Sequence, residues 1–303
     1  MCKTLSVFYD DELLARARAG QHNYSNRLIA AFNDRGMTVE LCRTSDAARA
    51  ASEQQPGYAL FHMEHPFHPR ALTTRLAYLY PFWRIEASAK RWEWSIAREK
   101  FDPGMIDRAA AQRFWDRRRR QHFGHHADKI TRDGYVYVPL QGRLLDRRSF
   151  QTVSPIAMLG ETLAHSGDRR VIAALHPNEI YDDAERAALD TLARANPRLL
   201  VVKRPMEPLL RGCDYVVTQN SSVALMGYFL EKPAILFAQI DFHHIALNVA
   251  LLGIERAFAR VADHRPDFAG YLYWFLKQTT INAGDDMAGE QIIAAVRRHG
   301  WDV

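Results

Sequence analysis

Four short polar stretches in the second half of the chain carry side chains able to do group-transfer chemistry. They are Gln141 with Asp146 five residues on, then His176-Pro177-Asn178-Glu179, then Gln219-Asn220-Ser221-Ser222, and last Gln239, Asp241, His243 and His244. Asp146 can act as a nucleophile, as a general base or simply as a loop carboxylate. His176 can donate to a phosphate oxygen or a carboxylate, while Pro177 stops a strand and fixes a turn. Ser221 and Ser222 suit the start of a helix, where free N–H groups and the positive dipole end favour a phosphate. They can equally be plain caps.

These residues gain meaning from the elements that precede them. Residues 135–140, 171–175, 199–202, 214–217 and 234–237 are near-continuous apolar runs of strand length. Helical stretches at 154–165, 182–195, 206–211 and 222–230 separate them, and Asp182 with Glu185 three residues on has the capping-box spacing. Apolar strands alternating with helices predict a parallel sheet covered on both faces. Ligands of such sheets bind beyond the carboxyl ends of the strands, which is where the four polar stretches fall.

The first half has a similar rhythm, with strands expected at 5–9, 37–42 and 58–62 and a helix over 26–33 closing near Gly36. Residues 70–125 are aromatic and arginine-rich, and two or three helices are expected there. The clearest covers 103–122, before Gly124. The fold class expected is α/β, with two Rossmann-like lobes and a cleft between them. The lobes are placed at 1–130, which carries the Arg/Trp-rich segment, and at 131–303.

Taken together, Tyr137-Val-Pro-Leu-Gln141 with Asp146, His176-Pro177, Asn220-Ser-Ser222 and Glu231-Lys-Pro233 before an apolar strand resemble the capsular polysaccharide biosynthesis proteins. These are the capsule-type Kdo transferases that build an oligo-Kdo linker on a phospholipid. Residues 271–280 with Ile281-Asn282 are similar to that family's C-terminal helix, so the resemblance spans about 134–283. The chain departs from the family pattern at Val223-Ala224, at Met226-Gly227 and over 238–244.

The resemblance implies a GT-B-like, metal-independent, retaining glycosyltransferase, with an acceptor-side role for the lobe at 1–130 and nucleotide-sugar binding for that at 131–303. It needs no cofactor, with a CMP-sugar as co-substrate, and moves an acidic sugar, Kdo, to a glycolipid or polysaccharide acceptor in capsule or surface polysaccharide synthesis. By the same resemblance Asp146 is the catalytic carboxylate, able to form a covalent glycosyl intermediate. Gln141 positions the sugar or that carboxylate. His176 counts as both catalytic and nucleotide-binding, because CMP departs as an anion whose charge must be offset. Pro177, Asn220, Ser221 and Ser222 complete the nucleotide site. Two alternatives stay open: a CDP-glycerol-type polyol-phosphate transferase on the same architecture, or a non-catalytic basic lipid-binding protein.

On the acceptor side the candidates are Glu64, His65 and Arg84. His62, Glu64, His65 and His68 crowd one segment, but the spacing is not that of the zinc hydrolases, and Pro66 and Pro69 oppose a ligand-aligning helix. No metal is expected. Trp83, Trp92 and Trp94 lie amid Arg84, Arg91 and Arg98, and either stack sugars or pack in a core. Arg117, Arg118, Arg119 and Arg120, with His122, His125 and His126, either complement a helix C-terminus or meet anionic lipid, where each cation gains ~1 kcal/mol.

Bulk properties set the outer limits. At 303 residues and ~150 residues per domain, two domains or one large one are expected. With 48% apolar and 25% charged residues, a disordered chain, a collagen and a coiled coil are excluded. The net charge is +5 and arginine far outnumbers lysine among the 40 basic residues, a skew that GC-rich coding also produces. No nucleic-acid motif accompanies it. Cys2, Cys42 and Cys213 share no short spacing, so neither a zinc knuckle nor a disulfide framework is indicated and a reducing compartment is expected. No run approaches the ~18 apolar residues of a membrane span. The apolar stretch 5–9 is cut off by Asp10-Asp11-Glu12, unlike a signal peptide. A cytoplasmic protein is expected, touching the inner face of a membrane at most peripherally.

Overall fold

The computed structural model describes residues 4–303; Cys2 lies outside them. Cys42 and Cys213 are free thiols. The chain forms two compact units: residues up to Glu99 together with Phe275–Val303, and Lys100–Trp274. The boundary expected at 130 therefore falls earlier, and the chain end returns to the first unit. Packing explains both corrections. Helix Arg108–Phe123 sets Phe114 edge-on against Tyr273, with ring centroids 5.7 Å apart, and the Trp115 indole donates to the Tyr228 carbonyl at 3.3 Å. Helix Ala288–Arg298 instead buries Ile292, Ile293 and Val296 in the first unit's core.

In the first unit, strands β1 (Thr4–Tyr9), β2 (Thr38–Arg43), β3 (Tyr58–His62), β4 (Ala71–Leu76) and β5 (Phe82–Glu86) share a sheet with the short strand Ile281–Asn282. From edge to edge the order is Ile281–Asn282, β5, β4, β3, β1, β2. The first four strands pair in parallel; β4–β5 and β5 with Ile281–Asn282 are antiparallel. Asp10, which opens the acidic run after β1, caps helix Asp11–Arg18 by accepting from the Leu13 N–H at 2.8 Å.

Helices expected over 70–125 are replaced at 71–86 by β4 and β5. Arg84 and Glu86 hide the strand signal, since both are buried polar residues in a short strand. Trp83 and Trp94 are core residues, 5% and 1% exposed. The helix expected over 271–280 is also revised: Phe268–Leu272 is α-helical, Tyr273–Gln278 continues it as a π-helix, and Ile281–Asn282 is the edge strand.

The second unit holds a wholly parallel sheet of β6 (Tyr135–Pro139), β7 (Arg170–Ala174), β8 (Leu199–Val202), β9 (Tyr215–Thr218), β10 (Ala234–Leu236) and β11 (Leu247–Asn248). Its order is β11-β10-β9-β6-β7-β8. The chain starts at the centre with β6, builds outward through β7 and β8, then reverses through β9 to β11. The reversal between β6 and β9 makes a topological switch point. Val136, Val138, Val171, Val217 and Ile235 form the core beneath it, all fully buried.

The arginine run lies on the last turns of helix Arg108–Phe123, which Gly124 ends with a positive φ of 51°. Arg119 stacks over Trp115 at 4.7 Å, donates to the Ala127 carbonyl and pairs with Asp128 at 3.0 Å. Arg118 lies over Phe114. Among the described residues no helix is long and apolar enough to cross a membrane.

Candidate active site

A cavity of about 520 Å³ opens at the carboxyl end of the second sheet, on the β6–β7–β8 side of the switch point. Its walls are mostly apolar: Tyr137, Pro139 and Leu140 from β6 and its end, Leu175 after β7, Met206 and Val223 from two helix starts. The polar groups are few. His176 with Pro177 enters from the turn after β7, Lys203 and Arg204 from the turn after β8, and Ser221 from the turn after β9. An apolar floor with cations and a hydroxyl beside it suits a nucleoside phosphate, whose base and ribose seek the former and whose phosphate seeks the latter.

Local bonds fix the histidine. The Asn178 backbone N–H donates to His176 Nδ1 at 3.2 Å. In the neutral ring the proton therefore sits on Nε2, leaving that nitrogen as a donor. Burial pushes the Tyr181 phenol up from its ordinary value, keeping it a neutral O–H that donates to the Leu140 carbonyl at 3.4 Å. The expected capping box is present: Asp182 and Glu185 bond reciprocally at 2.8 and 2.9 Å. The same Glu185 carboxylate also accepts from the Leu144 N–H, pinning the loop that carries Gln141 and Asp146.

Of the expected nucleotide residues, His176, Pro177 and Ser221 line one cavity. Asn220 and Ser222 flank it without lining it. Asn220 donates to the Gln239 carbonyl at 3.4 Å, and Ser222 is the first residue of a helix that Ser221 caps at 3.3 Å through Val223 N. That helix ends at Tyr228, short of the expected 230. Seven residues make a weak dipole, so the cationic side chains matter more than the helix start. Lys203 and Arg204 are exposed and make no ion pair among the described residues. Sequence reasoning passed over them, although the strand-end rule that finds His176 finds them after Leu199–Val202.

Asp146 and Gln141 sit on the loop after β6, outside the cavity wall. Asp146 is exposed and paired with Arg143 at 2.9 Å. The Gln141 carboxamide oxygen is buried with no hydrogen-bond partner, an acceptor that a ligand hydroxyl would satisfy. After β10, His244 is held by the Tyr271 hydroxyl at 3.0 Å and stacks on His243.

The acceptor-side candidates in the first unit are not brought to one cavity. Glu64 is half-exposed, 3.9 Å from Arg49, and His65 Nδ1 accepts from the Ala89 N–H at 3.3 Å. Arg84 is 4% exposed and donates to the Phe275 and Thr279 carbonyls and to the Thr279 hydroxyl. His68 is buried against Ser52, so the histidines of that segment point to different partners. Among the described residues no group of three or more metal-ligating side chains is assembled.

Two six-stranded, mainly parallel sheets with covering helices give the chain the architecture of GT-B glycosyltransferases. Among solved structures, a KpsC beta Kdo 2,7 transferase of Thermosulfurimonas dismutans matches 85% of this chain and 90% of its own, with a TM-score of 0.53 and 12% identity. The same organism's KpsC beta Kdo 2,4 transferase matches 89% of each chain at a TM-score of 0.46 and 12% identity. A UDP-GlcNAc 2-epimerase of Methanocaldococcus jannaschii covers 98% and 99% at 0.38 and 8%. The first of these likenesses establishes the shared fold. No protein-family model matches the chain, and no curated protein matches it in sequence.

Proposed function

We propose that the chain is a glycosyltransferase that moves an acidic sugar of the Kdo type from a CMP donor to a glycolipid or polysaccharide acceptor. The observation that carries this is the 520 Å³ cavity, where an apolar floor meets His176, Lys203, Arg204 and Ser221 at the carboxyl ends of parallel strands. Cytosine and ribose would occupy the floor. The phosphate would take the Nε2–H of His176, the two cations and the Ser221 hydroxyl. These groups offset the charge that develops as CMP leaves, so the reaction calls for no metal.

Asp146 is the proposed nucleophile. Its carboxylate oxygen attacks the anomeric carbon, the bond from that carbon to the phosphate oxygen breaks, and CMP departs with the electron pair. An acceptor hydroxyl then attacks the same carbon and passes its proton to solvent. The bond from that carbon to Asp146 breaks and the carboxylate leaves with the electron pair, so two inversions retain the configuration. To reach the sugar, Asp146 must leave its pair with Arg143. Gln141 would orient the sugar through its unpartnered oxygen. The acceptor would sit at the inner face of a membrane.

Calorimetric titration with CMP, UMP and CDP-glycerol, followed by CMP release from CMP-Kdo with a lysophosphatidylglycerol-type acceptor, tests this. Binding of CMP over UMP, and turnover lost in Asp146→Ala, are expected. Turnover unaffected by that substitution removes Asp146 from the mechanism. Tight CDP-glycerol binding without CMP-Kdo turnover favours the polyol-phosphate transferase. Absence of any cytidine-nucleotide binding sinks the donor assignment and favours a basic lipid-binding protein.

A further inference from the structure

The first unit contains a cavity of about 300 Å³ for which the transfer chemistry has no use. It lies at the edge of the first sheet. Ile281–Asn282 pairs only with Phe82 and Trp83 of β5, so Arg84, Ile85 and Glu86 run on past the end of that partner strand. Helix Ala288–Arg298 contributes Gln291, Ala294, Ala295 and Arg298 to the wall.

The lining is polar and balanced in charge. It includes two carboxylates, Glu86 and Glu99, and two guanidinium groups, Arg84 and Arg298, of which Glu86 and Arg84 are held in place. Glu86 is 4% exposed and held by the Ser95 backbone N–H at 3.1 Å and the Ser95 hydroxyl at 2.9 Å. Arg84, equally buried, is held by the carbonyls of Phe275 and Thr279 at 3.0 and 2.7 Å. Burying charges this way costs several kcal/mol per ion even after relaxation, and apolar side chains would close the sheet edge with less.

Further donors line the same cavity. Gln291 uses its oxygen to accept from the Asn282 N–H at 2.8 Å, which leaves its amide N–H groups. Gln278 and Arg298 are exposed and make no side-chain bond among the described residues. Trp83, which also lines the cavity, keeps a buried indole N–H without a partner.

Charge decides the ligand class. An anion entering this cavity meets two carboxylates, and a cation meets two guanidinium groups. A neutral ring with several hydroxyls satisfies both sets, because each hydroxyl donates to a carboxylate and accepts from an amide or guanidinium. The volume sits at the lower end of ligand cavities, right for one sugar ring and small for a nucleotide.

We propose that this cavity binds one neutral pyranose residue of a glycan. The inference does not depend on the donor chemistry of the second unit. Saturation-transfer NMR on the intact protein with the methyl glycosides of glucose, galactose and mannose tests it, with glucuronate and glucosamine as charged comparators. At least one neutral glycoside should receive saturation, and more than either charged sugar. Ala294→Trp, at an exposed helix position on the cavity wall, should abolish the signal by filling the space. Arg298→Ala, which removes one exposed donor, should reduce it several-fold. No signal from any neutral glycoside, a signal that survives Ala294→Trp in folded protein, or a preference for a charged sugar overturns the proposal. A CMP titration on the wild-type sample reports the donor site separately. Lost CMP binding with an intact glycoside signal defeats only the donor assignment, and the reverse defeats only this one.

Discussion

The backbone nitrogen of His176 donates to the Tyr181 hydroxyl at 2.9 Å, and that hydroxyl donates to the Leu140 carbonyl 3.4 Å away. One phenol, 5% exposed, thus joins the end of β6 to the turn after β7. Both ends line the 520 Å³ cavity. Tyr181→Phe keeps the packed ring and removes both bonds. Unfolding stability should fall by about 1 kcal/mol, the net worth of such a bond when a buried group is left unmatched. CMP affinity should drop as His176 loses its anchor. Urea denaturation and calorimetry check the two effects; unchanged values for both show that Pro177 and the bonds from Asn178 and Glu179 hold the turn without the phenol.

Lys203 and Arg204 extend the phosphate side of the cavity. Both are exposed, so salt screens their attraction. Lys203→Ala and Arg204→Ala should each weaken CMP binding about tenfold, or ~1.4 kcal/mol, while binding of cytidine, which has no phosphate, stays as it is. The double variant should also lose most of the salt dependence. An equal loss for cytidine would place the two side chains against the base instead of the phosphate.

Those two residues also show what was legible in the sequence. Five of the six strands of the second sheet are near-continuous apolar runs, and their positions read off within a residue or two; the sixth, Leu247–Asn248, is two residues long and leaves no such run. The strand-end rule then locates His176, Pro177 and Ser221, and applied to Leu199–Val202 it also yields Lys203 and Arg204. Two features are not legible. β4 and β5 carry Thr73, Thr74, Arg84 and Glu86 at buried positions, so neither alternation nor an apolar run marks them. The return of Phe275–Val303 to the first unit rests on pairing across long sequence separation, Ile281 with Trp83, and on Trp301 stacked against Tyr58 at 4.4 Å. No local pattern encodes either.

Acid should destabilise the first unit through His22. This ring is 6% exposed, and its Nδ1 lies 2.7 Å from the Ser25 hydroxyl, itself 2.8 Å from Tyr9. Burial, followed by repulsion from Arg16 and His62, pulls its pKa from the ordinary 6.5 to about 4. Between those values the unfolded chain binds the proton and the folded one does not, so stability falls as pH falls through that window. From neutral pH to pH ~5 the loss from this group is about 2 kcal/mol. His62 and His68, also lowered by burial, act in the same direction. His22→Gln should therefore flatten the slope without abolishing it. Chemical denaturation at the two pH values measures this, and an unchanged slope would remove His22 as its main source.

Lys232 sits in the Glu231-Lys-Pro233 element, yet its role is far from any ligand. It is 1% exposed, and its ammonium donates to the carbonyls of Thr131 and Cys213. Thr131 precedes β6 and Cys213 precedes β9, so one buried cation ties together the entries of the two strands that flank the switch point. The cavity lies at the opposite ends of these strands. Burial lowers the Lys232 pKa, which marks a cost that the two carbonyls and the nearby Asp214 and Asp133 carboxylates offset in part. Lys232→Met keeps the length of the side chain and leaves both carbonyls unmatched, each worth ~1–3 kcal/mol when buried, with some relief from no longer burying a charge. The net expectation is a loss of about 2 kcal/mol in unfolding free energy, with CMP affinity of the folded protein preserved. Thermal unfolding and calorimetry read the two separately. A variant of wild-type stability would mean that burying the ammonium costs as much as its bonds return, and selective loss of CMP binding would move Lys232 from the frame of the sheet to its site.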